Sequence, residues 1–170
     1  MTTDIVKCKL RAALEGVHGA VLNQIQQGEA PWTAAVKEAI FTVGRCLDYS
    51  VAASGIPGAD PEWLYDIVWY KNVADNDKQY LSEVPLVAEC EWGKLKDIRY
   101  DFEKMLMAQS RYKLLVFQAK SDQCVEGIIN EMIRNIELFD QGRFHGEYLF
   151  AGWALNHWRF ASYGRNLVVV

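Results

Sequence analysis

The stretch with the clearest chemical potential is Pro85-Leu86-Val87-Ala88-Glu89-Cys90-Glu91-Trp92-Gly93. It reads as a β-strand, and side chains along a strand alternate between its faces. Val87, Glu89 and Glu91 therefore share one face, and Leu86, Ala88, Cys90 and Trp92 share the other. Two carboxylates two residues apart project side by side among apolar neighbours. A buried charge is costly unless it is paired or bound to a metal. This face is thus either open to water or supplied with a partner of positive charge. A hard divalent cation, Mg²⁺ or Mn²⁺, suits oxygen ligands of this kind.

Upstream, Trp63-Leu64-Tyr65-Asp66-Ile67-Val68-Trp69-Tyr70 reads as a second strand carrying one acid, Asp66, in an apolar and aromatic run. Downstream, a helical pattern over Ile98 to Ser110 leads to the apolar strand Leu114-Leu115-Val116-Phe117. An acid on one strand, acid-x-acid on the next, then a helix and a strand: this order resembles the PD-(D/E)xK nuclease superfamily. The matching residues are Asp66 and Glu89-Cys90-Glu91, and the resemblance runs from about Trp32 to Phe117. It implies an α/β, restriction endonuclease-like fold, with a central mixed β-sheet flanked by helices. An extra N-terminal helix and a C-terminal hairpin complete a single domain over residues 1–170.

The resemblance also implies a function. It is metal-dependent hydrolysis of phosphodiester bonds in nucleic acid, DNA foremost, with Mg²⁺ or Mn²⁺ held by Asp66, Glu89 and Glu91. One position departs from the pattern, which usually ends in Lys where Glu91 stands. Some restriction endonucleases of the superfamily also carry Glu there. In other members the Lys comes from the following helix, and Lys104 in Asp101-Phe102-Glu103-Lys104 is the local match. A helix before the active-site strands often presents a Glu toward the metal in this family; Glu38 is the match. In such a site Asp66 and Glu89 bind metal. Glu91 orients water or binds a second metal, since a cation lowers the pKa of a nearby carboxylate and disfavours its taking a proton. A catalytically inactive member of the same fold, acting as a binding or regulatory module, also fits the Glu at the Lys position.

A purely structural account uses the same residues. Glu89 and Glu91 would line the wet face of an edge strand, and Asp66 would be satisfied by a backbone donor. Glu38 would face solvent near a helix N-terminus, where the macrodipole favours it. Against this, both strands are strongly apolar elsewhere and helical patterns flank them, so the sheet should be covered and its acids need partners.

Composition limits the partners. The chain has 170 residues, 51 % of them hydrophobic and 24 % charged, with a net charge of −4. That balance counts against tight nonspecific DNA binding but leaves room for a local basic patch, such as Lys94, Lys96 and Arg99. Cutting both strands of a duplex would favour a homodimer. No apolar run reaches the length of a membrane span, and Met1-Thr2-Thr3-Asp4 lacks the pattern of a secretion signal, so a cytoplasmic protein without membrane contact is expected. The four cysteines have no zinc spacing, and Cys46 and Cys124 fall on apolar helical stripes as small buried thiols.

Several further elements must position these residues. Leu10, Leu14, Val17, Val21 and Ile25 mark a helix from Ile5 to Gln27, with Gly28 as its C-cap and His18 beside the apolar stripe. Val36, Ile40, Val43, Leu47 and Val51 mark a second helix from Pro31. Residues 54–61 are a Gly- and Pro-rich loop, and Lys71 to Ser82 reads as an exposed turn. Phe102, Met105, Leu106 and Gln109 mark the inner side of the helix after Glu91. Asp122 to Asp140 is a helix with Asp122 as N-cap, and the aromatic tail around the Asn156-His157 turn is a hairpin.

Overall fold

The computed structural model of the protein describes residues 4–21, 29–139 and 146–164. Four helices and six strands follow one another: α1 (Ile5–Val21), α2 (Glu29–Cys46), β1 (Ser50–Ala53), β2 (Ile67–Asp75), β3 (Lys78–Glu91), α3 (Leu95–Leu106), β4 (Tyr112–Gln118), α4 (Asp122–Leu138), β5 (Glu147–Ala154) and β6 (His157–Tyr163). The strands form one mixed sheet in the order β1-β2-β3-β4-β5-β6. The chain divides into two compact units, and the boundary falls inside β3, between Leu86 and Val87.

In the first unit, α1 buries Leu10, Leu14 and Val17, and α2 buries Trp32, Val36, Ile40 and Val43. The apolar stripes of the sequence mark these faces. The expected helix end at Gln27, with Ile25 and the Gly28 cap, lies outside the described residues. The stripe of α2 runs on through Leu47 to Val51 only by coincidence of period. The helix ends at Cys46, Asp48 takes a left-handed φ of 62°, and Val51 is buried in β1, a strand that periodicity alone did not distinguish. Gly44 permits α2 to approach β2 closely: a Cβ there would meet the Trp69 indole at 2.6 Å. Strands β1 and β2 are antiparallel, from Ser50 opposite Tyr70 to Ala53 opposite Ile67.

Two boundaries differ from the sequence reading. Leu64 adopts a φ of 65°, so the expected strand from Trp63 starts only at Ile67, and Asp66 immediately precedes β2. Lys71 to Ser82 is mostly strand. The turn shrinks to Asn76-Asp77, with Asn76 at a φ of 54°, and polar strand residues on either side of it are exposed. Period-2 signals weaken where both faces of a ribbon meet water, which hid these strand extensions.

In the second unit, the end of β3 is followed by β4, which pairs in parallel with β5. Strand β5 returns as β6 through Leu155-Asn156, both left-handed. This is the expected C-terminal hairpin, although His157 opens β6 instead of sitting in the turn. Phe102 of α3 packs on Tyr148 and Phe150, with ring centroids 5.5 and 6.0 Å apart. On α4, Val125, Ile129, Met132 and Ile136 are buried, and Val125 sits against Gly152. The α3 helix ends at Leu106, so Gln109 is exposed beyond it. Ser121, not Asp122, caps α4: its hydroxyl accepts from the Cys124 amide, while Asp122 pairs with His157 at 3.0 Å and Arg159 at 3.3 Å. Cys46 and Cys124 are exposed, and only Cys90 among the cysteines is buried. No helix among the described residues is long and apolar enough to cross a membrane.

One buried cation was not anticipated. Lys113 on β4 is 1 % exposed, donates to the Ser110 carbonyl at 3.2 Å and lies 5.1 Å from the Tyr148 ring centroid. Burial lowers its pKa to about 8. The unfolded chain holds this proton to about pH 10.4, so between the two values the unfolded state binds more protons and stability rises with pH. Tyr148, pushed up to about 12 by burial, reverses the slope above about pH 10. Urea denaturation of intact protein should therefore show stability increasing from pH 8 to 10 relative to Lys113→Met, by up to about 3 kcal/mol. Parallel pH profiles for the two proteins would show that Lys113 titrates normally.

Candidate functional site

The acids of β3 face α3. The period of α3 turns Ile98, Phe102, Met105 and Leu106 into the core, which leaves Asp101 and Lys104 on the flank of the buried stripe. From there the Lys104 ammonium reaches Glu89 Oε1 at 2.8 Å and Asp101 Oδ1, one helical turn earlier, also at 2.8 Å. Glu89 is 3 % exposed. Burial works against the charged ammonium, but the hydrogen bonds and charges of Asp101 and Glu89 outweigh it and push the Lys104 pKa up. Lys104 is therefore a fixed cation at neutral pH.

Glu91, two residues further along β3, is partly exposed. Its Oε1 accepts from the Gly93 amide at 2.6 Å. Burial is the largest influence and raises its pKa. The Gly93 hydrogen bond offsets this in part, while the hydrogen bond and charge of Asp101 and the charge of Asp97 add to it. The result is a continuous polar chain, Glu89–Lys104–Asp101–Glu91, contributed by one strand and one helix of the second unit. Glu89 is buried and ion-paired, so the account of it as lining the wet face of an edge strand fails. The partner of positive charge required by the buried Glu89 is Lys104.

Asp66 belongs to the first unit, where it meets another lysine. Lys37 of α2, 7 % exposed, lies 2.8 Å from Asp66 Oδ1 and 3.5 Å from Glu62 Oε2, and donates to Ser54 Oγ at 3.3 Å. Glu38, expected to face a metal, is exposed, and its neighbour Lys37 is the buried one. Of the expected basic patch, Arg99 is engaged by Glu103 at 2.8 Å and Glu131 at 3.6 Å, whereas Lys94 and Lys96 are exposed.

Sequence reasoning missed Asp101 and Lys37. Asp101 carried a usable signal, since residues three apart on a helix share a side and Lys104 was already a candidate. Lys37 carried none, because a lysine beside an apolar stripe usually reaches solvent.

Among the described residues no three His, Cys, Asp or Glu side chains are gathered as a metal site. The acids with oxygen donors of the kind a hard cation takes are Glu91 and Asp101, and the charge of Asp101 adds to the raised pKa of Glu91. No family model, curated protein or solved structure matches this chain.

Removing Lys104 takes the ammonium away from a buried carboxylate. Lys104→Met should lower stability by about 2 kcal/mol or more in urea denaturation, and Glu89→Gln/Lys104→Met should lose less than the two single variants added together. A loss under about 1 kcal/mol with simple additivity would reduce the contact to an ordinary surface ion pair.

Proposed function

We propose that this chain is a metal-dependent nuclease of PD-(D/E)xK type that hydrolyses phosphodiester bonds in nucleic acid. The observation that supports this most is the Lys104 ammonium, brought from the helix after β3 onto the Glu89 carboxylate. It is the arrangement expected of a member whose lysine has moved to that helix. Glu91 and Asp101, with Glu89 behind them, would hold Mg²⁺ or Mn²⁺. The bound ion supplies Lewis acidity toward a phosphoryl oxygen and makes a bound water more acidic.

The chain's own residues define the remaining roles. Lys104 keeps its proton, so it does not serve as a base; it neutralises charge developing on the phosphoryl oxygens. Glu91, partly exposed, accepts a hydrogen bond from the attacking water and orients it. The water oxygen bonds to phosphorus as the bond to the leaving oxygen breaks. The water's proton passes to solvent, and the leaving oxygen takes one from it. Asp66 is the remaining acid of the family pattern, and its contribution is open to substitution.

A second reading, a catalytically silent binding or regulatory module of this fold, draws on one observation. Glu89 is almost wholly buried and Lys104 already balances its charge, so the pair is complete without a metal. Calorimetric titration of Mn²⁺ and Mg²⁺, together with cleavage of a labelled oligonucleotide, separates the two. The nuclease reading expects saturable binding that Glu91→Ala and Asp101→Ala abolish. It also expects Mn²⁺-dependent cleavage that Lys104→Met slows by about a hundredfold or more. Absence of both binding and cleavage would favour the silent module.

A further inference from the structure

A separate group of reactive side chains lies in the first unit. Ser54 directly follows β1, and Gly55, at a left-handed φ of 72°, turns the chain away immediately after it. The loop that Ser54 opens is closed at its base. There the Ala53 amide donates to the Asp60 carbonyl at 3.0 Å and the Asp60 amide donates to the Val51 carbonyl at 2.8 Å. Ser54 is exposed, and its hydroxyl donates to Glu62 Oε2 at 2.5 Å, within the range of a charge-assisted O–H···O⁻ bond. The same Oγ accepts from the buried Lys37 ammonium at 3.3 Å. Asp66 Oδ1 holds that ammonium at 2.8 Å, and Glu62 Oε2 lies 3.5 Å from it.

Neutralising Lys37 does not by itself call for this arrangement, since Asp66 alone supplies the balancing charge. The segment between the two acids is also strained. The Tyr65 amide donates to the Trp63 carbonyl at 2.8 Å around Leu64, whose φ is 65°. A γ-turn with a positive central φ is the rare, strained form. Such strain persists only where the surroundings hold it, and it gathers at functional sites. Here the acids on either side of the turn, Glu62 and Asp66, are both fastened to Lys37. A hydroxyl bonded to a carboxylate, with a third group orienting that carboxylate, is the arrangement of an activated nucleophile. As the cation of an ion pair, Lys37 is not the base; that role falls to Glu62.

We propose that Ser54 is the nucleophile of a second site, which hydrolyses neutral carboxylic esters, with Glu62 as general base and Lys37 as the cation that stabilises charge developing on Oγ. The charge of the site selects the substrate. One ammonium faces two carboxylates, so a phosphate or another anion is repelled and a neutral carbonyl compound is not. Trp63, 43 % exposed, and Leu64, 73 % exposed, directly follow Glu62 and offer apolar contact to an acyl chain. In the first step Oγ bonds to the carbonyl carbon as its proton passes to Glu62. The bond to the alcohol oxygen then breaks, and that oxygen takes the proton from Glu62. Water attacks the acyl-serine and gives a proton to Glu62. Oγ leaves with that proton, which frees the carboxylic acid and restores Ser54.

The test is covalent labelling of the intact protein by a fluorescent fluorophosphonate, alongside hydrolysis of p-nitrophenyl butyrate, both in EDTA. Neither reaction needs a metal, so the outcome is independent of the nuclease reading. The folded protein should be labelled at Ser54, located by peptide mass spectrometry, and the urea-unfolded protein should not be labelled. Ser54→Ala should lose both labelling and ester turnover, and Glu62→Gln should slow both about a hundredfold. Both side chains are exposed, so these variants leave the core untouched. Absence of labelling, labelling at another residue, or labelling that Glu62→Gln leaves unchanged would overturn the proposal. Ester turnover that survives Ser54→Ala would do the same.

Discussion

A carboxylate on an interior strand has to be neutralised, and Glu89 is neutralised by Lys104. The rest of the second unit follows from that requirement. Glu89 sits at a β3 position whose face is covered by α3, so water does not serve it. An ion pair in such a place contributes little net stability compared with two apolar side chains of the same shape, yet loss of one partner is strongly destabilising. The pair therefore constrains the register of α3 on the sheet more than it strengthens the fold. Phe102, two residues before Lys104, provides the strength by packing on Tyr148 and Phe150. The apolar anchor holds the helix in place, and the ion pair fixes where its flank lies.

The same registration brings Asp101 against Glu91. Two acids from different elements then adjoin at the partly exposed end of the strand, one residue pair along from the buried pair. A fixed cation and the Glu91 carboxyl of raised proton affinity flank Asp101. Metal-dependent cleavage of a phosphodiester draws on both a cationic partner for the phosphoryl group and oxygen ligands for the metal. The first unit holds the converse arrangement, a buried lysine balanced by more exposed acids, in Lys37 with Asp66 and Glu62. The two lysines differ in setting, since Lys37 also holds a serine hydroxyl and lies beside a Gly-rich loop.

The sequence was legible where period and burial agree. The alternation over Pro85 to Glu91 correctly put Glu89 and Glu91 on one face, and the i, i+3, i+4 spacing of Phe102, Met105 and Leu106 correctly put Lys104 at the edge of the core. Legibility ended where backbone conformation overrides pattern. The left-handed residues Asp48 and Leu64 move a helix end and a strand start by several positions, and neither is a residue whose type announces it as strongly as glycine does. The partners of the acids were harder. Lys104 was named through the family resemblance, Asp101 could have been read from its i, i+3 spacing to Lys104, and Lys37 emerges only when Asp66 and Glu62 are set beside it in space. The cysteine stripes misled because a thiol is apolar enough to extend a periodic pattern at an exposed position.

The claim on which this account turns is that the Lys104 ammonium is held by Glu89 and Asp101. It is tested most directly by ¹⁵N NMR of the lysine side-chain amines through the alkaline range, in the intact protein and in Glu89→Gln. The account predicts that Lys104 keeps its proton above the ordinary lysine range of about pH 10.4, and that Glu89→Gln moves it back toward that range. Titration of Lys104 within the ordinary lysine range in the intact protein would contradict it.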